Sequence, residues 1–276
     1  MAITAQDVNK LRQLTGAGMM DCKKALTEAG GDREAAIDYL RKKGQKVSAA
    51  RSDREASEGA VFVKTNEDAT AGVVLSLNCE TDFVAKNEDF RNLGLSLTEV
   101  ASKSGVSAKD ELLEQELNGQ KIQDVLTDYI GKIGEKIEIG RFEKVTGEQV
   151  VSYIHGANRI GVLVALKGVS GAEVTEVGKD VAMQIAAMRP IAVDKEGVDE
   201  ATVAREIEIG KEQARAEGKP EEMLEKIATG KLNKFYKDNT LLNQEFVKDP
   251  SLTIAKLLDK TQKGLTVTDF KRVAIG

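Results

Sequence analysis

Two stretches of this chain say the same thing twice. Gly72-Val73-Val74-Leu75-Ser76-Leu77 and Gly161-Val162-Leu163-Val164-Ala165-Leu166 are matching apolar runs roughly ninety residues apart. An alternating, β-branched stretch precedes each: Ala60-Val61-Phe62-Val63 in one case, Val150-Val151-Ser152-Tyr153-Ile154 in the other. Helical periodicity follows each, over 90–102 and 177–188, and a late strand closes each, over 137–142 and 265–270. Identity between the copies is low, but order and spacing hold. The pattern predicts two hairpin-plus-helix units, an α+β core built from duplicated subdomains. With 276 residues the chain is long enough for two or three units, each with its own core.

Ahead of the duplication the periodicity is helical. Thr4 and Asp7 form a capping-box-like start, and Val8, Leu11 and Leu14 make a stripe at helical spacing. Gly16-Ala17-Gly18 breaks it. Cys22, Ala25, Leu26 and Ala29 then recur at i, i+3, i+4 and i+7, one buried face of a second helix. Gly30-Gly31-Asp32 stops that helix and supplies an N-cap for a third, carrying Ala36, Ile37 and Leu40. Between Arg41 and Arg54 six basic residues face a single acid, Asp53, a composition that suits a solvated linker. The same stretch also suits an electrostatic contact with RNA or an acidic partner.

The second copy carries an insertion. Val203, Ile207, Gly210 and Ala214 are spaced as a coiled-coil seam, Gly218-Lys219-Pro220 turns the chain, and Leu224, Ile227 and Ala228 supply the facing stripe. This predicts an antiparallel helical hairpin over about 198–232. The expected division is therefore 1–53, a three-helix module with its basic linker; 54–148, the first core subdomain; and 149–276, the second with its hairpin.

Composition excludes most chemistry. One histidine, His155, leaves no Ser-His-Asp triad and no multi-histidine metal site. Cys22 and Cys79 lack Cys-x-x-Cys spacing and are expected to be buried and inert, and two isolated cysteines suit a reducing compartment. No Gly-x-x-x-x-Gly-Lys-Ser/Thr occurs, so no nucleotide-binding loop is expected, and Gly131-x-x-Gly134 reads as a turn. A net charge of −5 disfavours a dedicated nucleic-acid binder. The first residues, Met1 to Asp7, lack a basic segment followed by an apolar one, and no run is long and apolar enough to span a membrane, so a cytoplasmic protein is expected. Neither a cofactor nor a metal is expected, nor covalent catalysis.

What remains unexplained is an aromatic in the wrong place. Thr81-Asp82-Phe83-Val84-Ala85-Lys86-Asn87 follows the first apolar run, where a turn is expected, and phenylalanine is scarce at 7 residues of 276. Asp82 beside Phe83 disfavours burial of the ring as a staple on the following helix. Met19 and Met20 pose the same question, since Cys22, Ala25, Leu26 and Ala29 already fill the inward face of their helix. His155 sits in Tyr153-Ile154-His155-Gly156-Ala157-Asn158-Arg159, where a hairpin turn would place it, its ring expected to bond nearby backbone.

The segment from Thr81 to Asn87, together with Thr15-Gly16-Ala17-Gly18-Met19-Met20-Asp21-Cys22-Lys23-Lys24-Ala25-Leu26, closely resembles the bacterial elongation factor Ts family, and the likeness runs through most of the chain. The first three helices look like a ubiquitin-associated fold, and the family's helical hairpin agrees with the insertion. The resemblance implies a guanine-nucleotide exchange factor for elongation factor Tu, engaging its GDP-bound and nucleotide-free forms without binding nucleotide itself. It implies that Thr81, Asp82, Phe83 and Val84 disturb the Mg²⁺ site of that partner. Arg12, Met19, Met20, Lys23 and His155 would be secondary contacts. Oligomeric state is left open between a homodimer and a two-to-two complex. The competing reading is an RNA-binding or ribosome-associated module using Arg41 to Arg54.

Overall fold

The computed structural model describes residues 3–170 and 174–276. Met1 and Ala2, part of the stretch read above for a secretion signal, lie outside the described residues. Two compact units form, residues 1–62, 75–143 and 274–276 in one and 63–74 and 144–273 in the other. Among the described residues no helix is long and apolar enough to cross a membrane.

Three helices open the first unit: α1 (Ala5–Thr15), α2 (Met19–Glu28) and α3 (Arg33–Arg51). The capping box forms as read: the Asp7 amide donates to Thr4 Oγ1 at 3.2 Å and the Thr4 amide to Asp7 Oδ2 at 3.1 Å. Val8, Leu11, Cys22, Ala25, Leu26 and Ala36 form the module's core. Leu14, expected on the inward stripe, is 63% exposed. Helix α1 ends one residue later at Thr15, and its cap Gly16 takes a left-handed conformation (φ 66°), so the stripe has no further turn to continue into.

The stretch from Arg41, expected as a solvated linker, is the second half of α3. Its 19 residues run without a break to Arg51. Long-range contacts explain why so polar a sequence stays helical, beginning with the ion pair of Lys43 with Asp21 of α2. Gly44 is buried against α7 (Ile122–Ile133), where a Cβ placed on Gly131 would come within 2.6 Å of Gly44 Cα. Backbone meets backbone only because neither residue has a side chain. Gly131 is thus a packing residue inside a helix rather than part of a turn, and Gly134 is the left-handed C-cap that ends it. At its far end α3 is held through Arg51, which reaches Glu80.

The duplication is visible in topology. One sheet has the order β1-β2-β5, from β1 (Glu58–Thr65), β2 (Ala71–Cys79) and β5 (Ile137–Thr146). The other has the order β10-β7-β6, from β6 (Gln149–His155), β7 (Ile160–Lys167) and β10 (Thr266–Ala274). Within each sheet the second strand of the copy is central, flanked by its hairpin partner and by the late strand. Such a strand is covered on both faces, which is why its sequence is an apolar run rather than an alternation. Val74, Leu75 and Leu77 of β2 and Val162 to Leu166 of β7 are buried accordingly. In β6 and β7 the pairing runs antiparallel from Gln149 opposite Leu166 to His155 opposite Ile160.

Between β2 and β5 the chain makes α4 (Asp82–Lys86), α5 (Glu88–Ser104), α6 (Lys109–Leu113), the short ribbon β3 (Glu116–Leu117) with β4 (Gln120–Lys121), and α7. Phe90, Leu97 and Ala101 are the fully buried face of α5.

In the second unit α8 (Thr175–Met188) lays Val181, Ala182 and Ile185 on β6 and β7. The inserted hairpin is α9 (Glu200–Ala216) and α10 (Glu221–Asn239), longer at its second helix than the expected 198–232. Gly210 and Ala214 are buried against Leu224 and Ala228, and a Cβ on Gly210 would lie 3.1 Å from Ala228 Cα, so the helices close on small residues. Lys211–Glu225, Arg215–Glu221 and Lys231–Glu217 pair across the seam. The ribbon β8 (Glu245–Phe246) with β9 (Asp249–Thr253), then α11 (Ile254–Thr261), lead back to β10.

Candidate partner-binding site

The odd segment after β2 is neither a turn nor a staple. Asp82 to Lys86 form α4, a helix of five residues, with Thr81 as N-cap and Asn87 closing it and capping α5. So short a helix has no stability of its own, because nucleation is never repaid by propagation. Its neighbours must hold it. Ala85 is buried, Val84 half-buried, and Phe83 points away from both: the ring is 83% exposed. Leaving a Phe in water forgoes about 1.5–3 kcal/mol of transfer free energy.

Asp82 is not free beside it. Lys86 Nζ donates to Asp82 Oδ2 at 2.6 Å, one helical turn on. This hydrogen bond, more than any other interaction, holds the Asp82 carboxyl below its ordinary range. The carboxylate is therefore fully charged through neutral pH. Both ends of the pair are at least half exposed, so a partner can exchange either for a contact of its own.

Below the tip the chain is buried. Cys79 is fully buried and burial, reinforced by the Glu135 charge, pushes its thiol up to about 12. Its Sγ donates to the Thr81 carbonyl at 3.2 Å, an inert packing role as the sequence suggested. Cys22 is likewise buried, its thiol raised chiefly by desolvation.

The secondary residues fall in two places. Arg12 lies on α1 and Met19, Met20 and Lys23 on α2, all exposed; Met19 is 52% and Met20 73% accessible, unlike the buried Cys22, Ala25 and Leu26 of the same helix. Arg12 edges a shallow pocket with Asn9, Gln13, Gly16, Asp89 and Lys132, beside the Lys132–Asp89 ion pair of 2.8 Å. A larger cleft of about 630 Å³ opens between this module and helices α5 and α7, with Leu14, Leu40, Leu93 and Tyr129 on its walls. His155, in the second unit, is the last residue of β6 and exposed. Its Nδ1 meets the Tyr153 hydroxyl at 2.9 Å, so the ring bonds a side chain two residues back rather than the backbone expected for a turn histidine. The turn itself is Gly156-Ala157-Asn158-Arg159, with positive φ at its first three residues.

None of these side chains forms a catalytic constellation. Among the described residues no three of His, Cys, Asp and Glu are grouped to hold a metal ion. What the first unit offers is an exposed aromatic on a short helix and two exposed thioethers.

The chain is similar to known proteins along its whole length. A family model described as Elongation factor TS matches residues 80–276, from the base of α4 to the end of the chain. The chain belongs to the elongation factor Ts family. Elongation factor Ts of Cytophaga hutchinsonii is 58% identical over 274 residues, 99% of each chain. That of Amoebophilus asiaticus is 53% identical over 276 residues and the full length of both. At greater distance, elongation factor Ts of Chlorobium phaeobacteroides keeps 41% identity over 284 aligned positions. These matches run through the N-terminal helices as well, so the whole chain is of this family and is a translation elongation factor.

Two features of the tip escaped the sequence reading. The Asp82–Lys86 pair becomes legible only once the segment is read as a helix, where i and i+4 meet. The carboxylate that takes both Thr81 donors belongs to Glu135, 54 residues on, and carries no local signal at all.

Proposed function

We propose that this chain is the guanine-nucleotide exchange factor of elongation factor Tu, acting in the cytoplasm during translation elongation. It binds the GDP-bound partner, disturbs the Mg²⁺ and phosphate site, and leaves the nucleotide-free partner ready for GTP. The observation that carries this reading is Phe83, 83% exposed on a short helix held at the end of β2. Thr81, Asp82, Phe83 and Val84 make the intruding element. Arg12, Met19, Met20 and Lys23 dock the N-terminal module, and His155 adds a contact from the second unit. The factor contributes no covalent chemistry and holds no nucleotide of its own.

Magnitudes set the division of labour. A nanomolar GDP complex is held by about 12 kcal/mol. Loosening it by a factor of about 10⁴ needs about 5.5 kcal/mol of interaction that favours the empty conformation. Burying one Phe side chain gives about 1.5–3 kcal/mol, so Phe83 supplies at most about half. The methionines of α2 and the second unit supply the remainder by gripping a conformation that GDP opposes.

The test is linkage. Factor and nucleotide weaken each other's binding by the same factor. A titration against elongation factor Tu is expected to be tight without nucleotide and weaker as GDP and Mg²⁺ rise, and the chain is expected to speed release of labelled GDP. Affinity that stays flat across a saturating GDP·Mg²⁺ series refutes the mechanism. An affinity for RNA that falls steeply on adding salt and ignores GDP would point instead to RNA binding through the basic half of α3. Sedimentation of the free chain and of the nucleotide-free complex tests for a homodimer and for a two-to-two assembly.

A further inference from the structure

We infer that Glu135 is a positioning residue for Phe83: its carboxylate clamps Thr81 and thereby aims α4 at the partner. The inference rests on the exchange reading above and adds to it a residue 54 positions away from Thr81 in the chain.

The geometry is complete on both sides. Glu135 lies in the turn between the Gly134 cap of α7 and the start of β5. Its Oε1 accepts the Thr81 hydroxyl at 2.7 Å and its Oε2 accepts the Thr81 amide at 3.1 Å. That hydroxyl in turn accepts the Val84 amide at 3.4 Å, the N-cap bond of α4. The Thr81 carbonyl takes the Ala85 amide at 3.2 Å and the Cys79 thiol at 3.2 Å. Every polar atom of Thr81 is thus engaged, and the donors it offers both end on one carboxylate.

A second carboxylate braces the same point. Glu80 accepts Arg51 Nη1 from the end of α3, at 2.9 and 3.1 Å, and the Lys136 amide at 2.7 Å. The strand end carrying Thr81 is therefore fixed to the α7–β5 turn through Glu135 on one side and Lys136 on the other. Hydrogen bonds to an ionised acceptor are about twice as strong as neutral ones. A five-residue helix cannot orient its own ring, so the direction of Phe83 is set here.

A ring already aimed is bound without first being ordered. Freeing the backbone of one residue at the cap corresponds to roughly a five- to thirtyfold loss for the step in which α4 engages its partner. Docking through α1 and α2 does not involve α4. The loss is therefore expected in the maximal rate of stimulated GDP release, with the half-saturating concentration of factor little changed.

The experiment is a double-mutant cycle of Glu135→Ala and Phe83→Ala, measured as GDP release from elongation factor Tu. Glu135→Ala is expected to lower the maximal rate by about five- to thirtyfold in the parent and by less than about twofold in the Phe83→Ala background. Glu135→Gln, which keeps one acceptor oxygen, is expected to fall between. Hydrogen exchange of the Val84, Ala85 and Asn87 amides in the free protein should quicken in Glu135→Ala while β2 stays protected. Equal losses in both backgrounds, or unchanged rate and unchanged amide protection, overturn the clamp. A parent chain that fails to accelerate GDP release overturns the exchange reading, and the amide measurement then still decides whether Glu135 holds α4.

Discussion

The crossing of α3 over α7 gives the sharpest structural prediction. Gly131→Ala puts a methyl where Gly44 Cα is 2.6 Å away, with the Gly44 amide nitrogen at 3.4 Å. Carbon atoms rest at about 3.5–4.0 Å, so the helices must part by roughly 1 Å. Neither can give way locally, because the opposing atom is backbone. Overpacking of this kind costs about 1–3 kcal/mol. Against it stands the gain of up to about 1 kcal/mol in helix propensity when alanine replaces glycine. Gly230→Ala isolates that gain: Gly230 is exposed in α10 and a Cβ there meets nothing within 4 Å. The expected outcome is a stabilised Gly230→Ala and a Gly131→Ala variant lying about 1–3 kcal/mol below it. Urea unfolding followed by far-ultraviolet circular dichroism measures the difference, and hydrogen exchange in α3 and α7 locates it. If Gly131→Ala gains as much stability as Gly230→Ala, the two helices do not cross on their glycines and the account of α3 is wrong.

Replacing Asp82 and Phe83 together by alanine is expected to leave the unfolding transition within about 0.5 kcal/mol of the parent, since both are exposed, while slowing stimulated GDP release about ten- to a hundredfold; release at the parental rate would remove α4 from the mechanism. Cys79, its thiol raised to about 12 and fully buried, is expected to resist iodoacetamide at neutral pH until the protein unfolds, and rapid alkylation of the native chain would contradict the packing beneath Thr81. Asp7 is held below its ordinary value chiefly by the Thr4 hydroxyl, so its cap contributes above the ordinary carboxylate range and is lost as pH falls through the lowered value. An acid titration of the α1 amides should therefore show fraying at a lower pH in the parent than in Thr4→Ala, and coincident profiles would refute the capping box.

The duplication was legible because buried central strands leave continuous apolar runs, and the hairpin because its seam of Val203, Ile207, Gly210 and Ala214 repeats at coiled-coil spacing. Exposure of Phe83 followed from Asp82 beside it. Other features were hidden for identifiable reasons. Helix α7 carries Ile122, Leu126 and Ile130 at helical spacing, yet Gly131 and Gly134 near its end look like a turn until Gly44 is seen to need the first of them. The second half of α3 has only Val47 as a half-buried apolar residue, and what holds it is a backbone contact at Gly44 with ion pairs at Lys43 and Arg51, none of which leaves a periodic trace. Glu135 is one of 45 acidic residues in the chain, and only the meeting of the β2 end with the α7–β5 turn distinguishes it.

The continuity of α3 bears on how this protein should be dissected. A helix of 19 residues that begins in the N-terminal module and ends with Arg51 on Glu80 belongs to two places at once. Cutting the chain near residue 53, the natural boundary on composition, removes more than a docking module. It strips Gly131 of its cover and leaves the Glu80 carboxylate, one residue from Thr81, without its guanidinium. A truncated chain that exchanges nucleotide slowly would thus report a slackened tip as much as a lost anchor. Point changes at Met19 and Met20 are exposed and touch neither contact, so they are the cleaner instrument for asking what the module itself contributes.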